Sequence, residues 1–192
     1  MNLFLSEHRA QTRRHLTEKT LDVLVLGGGI TGGGVARDAA MRGLCTGLVD
    51  RHDFAFGTSS RSSRLLHGGL RYLEQGRVGL VREASAEKKT IREIAPHLAD
   101  PMGFVFPIYQ IGGRPLWQVR VGVKLYDVLC SGRNFKPSRG FTRDETLRSL
   151  PGLNREGLLG SVRYFDALTN DARLVLDTLR SAVAQGATVA NY

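Results

Sequence analysis

The run Val23-Leu24-Val25-Leu26 passes directly into Gly27-Gly28-Gly29, and Gly32 follows three residues later. Four consecutive apolar residues suit a parallel strand buried on both faces, and the glycines then demand a tight turn. Val35, Ala36, Ala39 and Ala40 give the following segment a small-residue helical face, and Gly43 stands at its C′ position. Leu48 and Val49 supply a second short strand that ends at Asp50. The pattern predicts a βαβ unit of about thirty residues.

Gly27, Gly29 and Gly32 make G-x-G-x-x-G between a strand and a helix, with Gly28, Ile30 and Thr31 in the intervening places. The first glycine permits the turn, the second lets the backbone approach a pyrophosphate, and the third lets helix and strand pack closely. The helix N-terminus then offers N–H groups and partial positive charge to phosphates. Asp50, followed by Arg51, closes the second strand at the distance where a carboxylate reaches the 2′-hydroxyl of an adenosine ribose. A 2′-phosphate would face that carboxylate, so the ligand is FAD or NAD, not NADP.

Further elements follow from spacing. Leu80, Ala84, Ile91, Ile94 and Leu98 recur at helical intervals and predict a long helix limited by Pro96. FVFPIYQ predicts a strand interrupted at Pro107, and the alternation from Trp117 to Val123 suits a half-buried strand as well as a basic amphipathic surface segment. DARLVLDTLRSAVAQG predicts a helix with Leu174, Val175, Leu179, Ala182 and Val183 on one side, closed by Gly186, and a strand begins at ATVA. That ending reads as the front part of a longer protein.

The 192 residues carry a net charge of +9, to which Ile111–Leu150 contributes eight basic and three acidic residues. No nucleic-acid-binding motif accompanies the charge, and nucleic acid is excluded as a partner. Cys45 and Cys130 lie in apolar runs and read as buried thiols of a reducing compartment, with no metal site. The leader of residues 1–20 has only Leu3–Leu5 as an apolar stretch, with charge after it, which is not the plan of a signal peptide. It reads as a basic leader or short surface helix of a cytoplasmic protein.

A second motif, Gly57 to Leu73, is GTSSRSSRLLHGGLRYL. Together with the glycine turn it closely resembles the FAD-dependent glycerol-3-phosphate dehydrogenases, respiratory enzymes that pass electrons to quinone. The matching residues are Thr58, Ser59, Ser60, Ser62 and His67 to Leu73, then Val81-Arg82-Glu83, Ala95-Pro96-His97-Leu98 and the later DARLV from Asp171. The resemblance runs from about Leu21 to the end. Asp50 stands where the family usually has Glu, and Arg64 where Lys is common.

The resemblance implies an α/β fold: a Rossmann-like FAD-binding domain of the glutathione-reductase/D-amino-acid-oxidase type, with the start of a second, substrate-domain portion. Residues 21–100 would form the FAD-binding βαβ and flavin-contacting segment, 101–170 a substrate- or membrane-facing insertion, and 171–192 the return to the FAD domain. It implies oxidation of sn-glycerol 3-phosphate to dihydroxyacetone phosphate, with FAD as cofactor. Gly27–Gly32, Asp50 and Arg51 would hold the ADP half. Thr58, Ser59, Ser60, His67, Gly68, Gly69 and Leu70 would hold the flavin half. Arg71 and Tyr72 would face the substrate, His67 and Arg71 being the catalytic pair. Gly68 and Gly69 leave the backbone free to approach a flat ring, and the Arg71 fork suits a phosphate. Family members are peripheral on the inner face of the cytoplasmic membrane, and a homodimer stays open. Two rivals remain: an amine or amino-acid oxidase of the same architecture, and an inactive FAD-binding fragment.

Overall fold

The structure, a computed structural model, describes residues 6–111, 113–130 and 136–192, the side chains of residues 6–8, Arg71 and Glu74 excepted. In chain order the elements begin α1 (Ser6–Glu18), β1 (Val23–Leu26), α2 (Ile30–Met41), β2 (Thr46–Asp50), β3 (Leu65–Leu66), α3 (Leu70–Glu74) and α4 (Val78–Ile94). They continue β4 (Asp100–Tyr109), α5 (Leu116–Leu129), β5 (Arg139–Thr142), α6 (Arg143–Ser149), β6 (Leu158–Leu168), α7 (Asp171–Ala184) and β7 (Thr188–Asn191). The chain forms two compact units, one from Met1–Arg64 with Asn170–Tyr192 and one from Leu65–Thr169.

The first unit is the expected βαβ frame. Strands β1, β2 and β7 are parallel in that order, with Val25 opposite Leu48 and Leu48 opposite Val189. Helices α2 and α7 supply small and branched residues, and Ala36, Ala40, Leu48, Val175, Leu179 and Ala182 share one core. A Cβ on Gly33 would lie 3.5 Å from Leu179 and Thr178, so the glycine-rich start of α2 suits close approach to α7. Gly43 and Gly186 take positive φ just beyond α2 and α7, as C′ residues do. The described part of the leader is helical, and Arg9 donates to the carbonyls of Asn191 and Tyr192 at 2.6 and 2.7 Å. Residues 1–5 of that leader lie outside the described residues.

In the second unit β6 is flanked by antiparallel β4 on one side and by β3 and β5 on the other. The sequence pattern assigns nothing to β5, α6 or β6. Strand β4 is not interrupted at Pro107: it runs on to Tyr109, with Pro101 opposite Ala167 and Pro107 opposite Ser161. Six residues apart, both prolines present the same edge, and an outer strand needs no donors on its free side.

Three expectations are corrected here. Trp117 to Val123 is helix, the first half of α5, which buries Val123, Tyr126 and Leu129 and leaves Trp117, Val121 and Leu125 exposed. Apolar residues on two faces of one helix imitate a strand's alternation. Helix α4 exists, but Leu80 and Ile94 are exposed and its buried stripe is Val81, Ser85 and Lys88. The break expected near residue 100 falls at Arg64/Leu65 instead, because β3 pairs with the far end of β6. No described helix is long and apolar enough to cross a membrane. Cys130 is buried, Cys45 partly so, and both are free thiols.

Candidate functional site

The turn after β1 is built as its glycines require. Gly27 takes φ +117° and its amide donates to Val49 O at 2.8 Å, joining the turn to β2. A Cβ on Gly32 would fall 1.9 Å from Gly27 O and 3.2 Å from Val25, so no side chain fits there. Gly29 is the extended N-cap of α2 and supplies no side-chain cap. Ser59 Oγ accepts the Ile30 amide instead, at 3.1 Å, so the Thr-Ser-Ser run meets the N-terminus of α2 directly.

Gly28 has neighbours that the sequence motif does not announce. Its carbonyl accepts the Ala55 amide at 2.9 Å, and a Cβ on it would land 2.5 Å from the Phe54 ring. Phe54 and Ala55 therefore brace the turn from outside the motif, Ala55 in the left-handed region at φ 64°. Their only sequence signal is an aromatic and a small residue a few positions after Asp50.

Asp50 closes the arrangement. Its Oδ2 accepts the Gly28 amide at 2.7 Å and its Oδ1 the His52 amide at 2.8 Å. These bonds, His52's the stronger influence, hold the carboxyl below the usual carboxylate range. Each oxygen of a carboxylate has a second lone pair, so an incoming hydroxyl can still donate to it. Ile30, Thr31 and Arg51 are exposed.

Thr58–Ser60 form a single 3₁₀ turn. Ser60 Oγ donates to Ala55 O, Ser62 Oγ to Asp171 Oδ2 in the first turn of α7, and Thr58 is exposed. Arg61 lies 5.1 Å over the Phe56 ring. The glycine turn, Asp50 and Thr58–Ser60 are thus gathered within the first unit.

His67 to Tyr72 belong to the second unit. His67 is exposed, its ring 6.4 Å from that of Tyr72. Gly69 takes φ +76° as the N-cap of α3, and a Cβ on it would lie 2.4 Å from the Tyr72 ring, which packs on the core around Val81 and Tyr126. Tyr72 therefore fills a packing position as well as belonging to the motif. Leu70 packs against the same core. The Arg71 side chain lies outside the described residues.

Beneath Gly68 is a buried polar cluster that the sequence reading missed. The Gly68 amide donates to Asp166 Oδ1 at 3.1 Å, and Lys88 Nζ and Tyr126 OH reach the same oxygen at 2.8 and 3.3 Å. Ser85 Oγ and Cys130 Sγ are 3.0 Å apart beside it. Burial pushes the Tyr126 phenol and the Cys130 thiol above their ordinary values. The available signal was a lysine in register with Val81 and Ser85, and an aspartate inside the apolar run of β6.

The family model described as FAD dependent oxidoreductase matches residues 22–192. An alpha-glycerophosphate oxidase of Streptococcus pyogenes is 42% identical over 98% of this chain and 31% of its own length. Glycerol-3-phosphate dehydrogenase 2 of Mycobacterium bovis is 44% identical over 94% of this chain and 31% of its own. The chain thus spans about a third of these relatives. Among solved structures, the glycerol-3-phosphate dehydrogenase from Bacillus halodurans, complexed with FAD, superposes with TM-score 0.70 at 35% identity, over 96% of this chain and 29% of that one. A glycine oxidase from Bacillus cereus shares the fold at TM-score 0.56 and 22% identity, over 90% of this chain and 46% of its own.

Proposed function

Since the chain belongs to the FAD-dependent oxidoreductase family, we propose that it is the cofactor-binding N-terminal part of an enzyme that oxidises sn-glycerol 3-phosphate to dihydroxyacetone phosphate. The observation that carries this reading is the 42–44% identity to two glycerol-phosphate enzymes across nearly the whole chain, against 22% to a glycine oxidase of the same fold.

The residues present fit the cofactor. Gly32 admits no side chain, Gly29 puts none at the N-terminus of α2, and Asp50 keeps acceptor capacity on both oxygens. Gly27–Gly32 would receive the pyrophosphate, Asp50 a ribose hydroxyl with Arg51 beside it, and Thr58–Ser60 the phosphates and ribityl chain. Bound FAD would supply the two-electron acceptor for the hydrogen on the substrate's C2. The backbone from His67 to Leu70 would lie against the flavin, with His67 beside the reacting centre. Arg71 would pair with the substrate phosphate through its planar fork, and Tyr72 would flank it.

The electron acceptor in this reading is a quinone, reached from a peripheral position on the membrane. Trp117, Val121 and Leu125 support that position: they lie exposed along one stripe of α5, in a segment rich in arginine and lysine. The relative named an oxidase favours dioxygen as the rival acceptor.

The test is the visible spectrum of the purified chain with added FAD, recorded anaerobically with glycerol 3-phosphate and, separately, with glycine. A bound flavin bleached by the phosphate ester alone is the expected result. Bleaching by glycine and not by the ester would replace the reading with an amino-acid oxidase, and a bound flavin bleached by neither would leave a cofactor-binding fragment. Reoxidation by a soluble quinone rather than by air then separates the two acceptors.

A further inference from the structure

Lys88 and Asp166 are the most deeply buried ion pair among the described residues, their side chains 1% and 5% exposed and 2.8 Å apart. A buried pair of this kind is weak evidence for stability. The loss of hydration opposes the attraction, and apolar residues of similar volume commonly serve as well or better. Its neighbours explain its presence more directly.

Asp166 Oδ1, on β6, accepts from donors on three separate segments: Lys88 of α4, Tyr126 of α5, and the main-chain amide of Gly68 between β3 and α3. Only the last of these belongs to the motif carried by the functional reading. Gly68 is seated on the cluster without slack, since a Cβ on it would fall 2.0 Å from the Tyr126 oxygen and 2.8 Å from Ser85 Oγ. The next residue, Gly69, is locked in the left-handed region as the cap of α3, and its carbonyl accepts the Tyr72 amide at 2.8 Å. The backbone of His67–Gly69 is therefore held by a charged acceptor below and a helix cap beyond. A hydrogen bond to a charged, buried acceptor is stronger and more directional than one to water or a neutral group.

We propose that Lys88 and Asp166 are positioning residues: Asp166 fixes the Gly68 amide, Lys88 offsets the burial of the Asp166 carboxylate, and together they set the backbone that meets the flavin. The proposal rests on the functional reading above for the identity of what that backbone meets. Tyr126 and Ser85 complete it by shaping the floor on which only glycine fits.

Two paired substitutions separate positioning from mere core filling. Lys88→Met with Asp166→Asn removes both charges but keeps an acceptor oxygen beneath Gly68. Lys88→Met with Asp166→Leu removes the charges and the acceptor. Amide hydrogen exchange across residues 65–72, FAD affinity by titration, and the visible spectrum of the bound flavin are measured for each. The asparagine pair should keep FAD affinity within about threefold of wild type. The leucine pair should exchange the Gly68 amide at least about tenfold faster and bind FAD at least about tenfold more weakly, with a shifted flavin spectrum. Exchange across residues 21–50 should stay unchanged in both.

Equal behaviour of the two pairs in exchange and in FAD affinity would overturn the proposal. If the leucine pair does not fold, wild-type exchange decides. A Gly68 amide protected like the central amides of β6 supports the proposal, and one exchanging like an exposed loop overturns it. A wild-type chain that binds FAD but is not reduced by glycerol 3-phosphate would sink the substrate assignment alone, leaving the comparison of the two pairs to judge positioning.

Discussion

The Gly28 amide donates to Asp50 Oδ2 over 2.7 Å, so the turn after β1 and the acid at the end of β2 hold each other directly. The second oxygen of Asp50 takes the His52 amide at 2.8 Å. Asp50 thus shapes the turn as well as offering an acceptor to whatever the turn receives.

Asp50→Ala is expected to lower the free energy of unfolding by about 1–2 kcal/mol, because it strips one charge-assisted bond from the part-buried Gly28 amide and a second from the exposed His52 amide. FAD affinity should fall at least about tenfold. Urea unfolding and flavin titration read the two effects, and an alanine variant matching wild type in both would remove Asp50 from the site. The same bonds give a pH dependence. The carboxyl is held below its ordinary value in the folded state. Its contribution is therefore complete above about pH 4 and is lost as pH falls through the lowered folded value. Wild type should lose more stability than Asp50→Asn in that acid range, and parallel curves would contradict the assignment.

Two glycines of the same helix should respond in opposite directions. At Gly32 a Cβ meets the Gly27 carbonyl at 1.9 Å, whereas at Gly34 it meets nothing within 4 Å. Gly32→Ala should destabilise by about 1–3 kcal/mol and abolish flavin binding. Gly34→Ala, in an exposed helix interior, should stabilise by about 0.5–1 kcal/mol. Thermal unfolding of both variants is the check, and a Gly32→Ala variant as stable as wild type would refute the role given to Gly32.

Arg71→Gln should raise the glycerol 3-phosphate concentration needed for half-maximal bleaching by about 10- to 100-fold while leaving FAD affinity close to wild type, as expected for loss of a charged hydrogen-bonding partner. Anaerobic stopped-flow bleaching across substrate concentrations measures it. A variant defective in FAD binding instead would move Arg71 to the cofactor.

The α5 stripe predicts surface binding. Trp117 is 67% exposed, with Val121 and Leu125 on the turns that follow. Trp117→Glu with Val121→Glu should reduce co-sedimentation with anionic phosphatidylglycerol vesicles several-fold and leave neutral vesicles, folding and flavin binding unaffected. Unchanged sedimentation would take α5 out of any membrane role.

The βαβ frame was legible because every signal in it is local: the apolar run at Val23–Leu26, the glycines and the acid at Asp50 lie within thirty residues. The Lys88–Asp166 cluster was not, because its partners lie 78 residues apart and Gly68 is 98 residues from Asp166. Helix α4 was found with part of its face: Ala84 and Ile91 are half-buried and Leu98 beyond it is buried, but Leu80 and Ile94 are exposed, and the centre of the inward stripe includes Ser85 and Lys88, which carry no apolar signal. Helix α5 was obscured for the opposite reason, having apolar residues on both its buried and its exposed side. At the glycine turn, the motif identified Gly27, Gly29 and Gly32 but gave no notice of Phe54, whose ring closes on Gly28 from outside the pattern.

Strand β3 opens the second unit and pairs with the last residues of β6, Leu65 opposite Leu168 and Leu66 opposite Ala167. Entry and exit of that unit are therefore adjacent rungs of one antiparallel ladder. An insert clasped at its own base is a cassette: the chain enters and leaves it at one place. Such a plan places the glycine turn in one part of the chain and the His67–Tyr72 segment in the other. It also marks 64/65 and 169/170 as the seams at which a chimera of two such proteins should be cut.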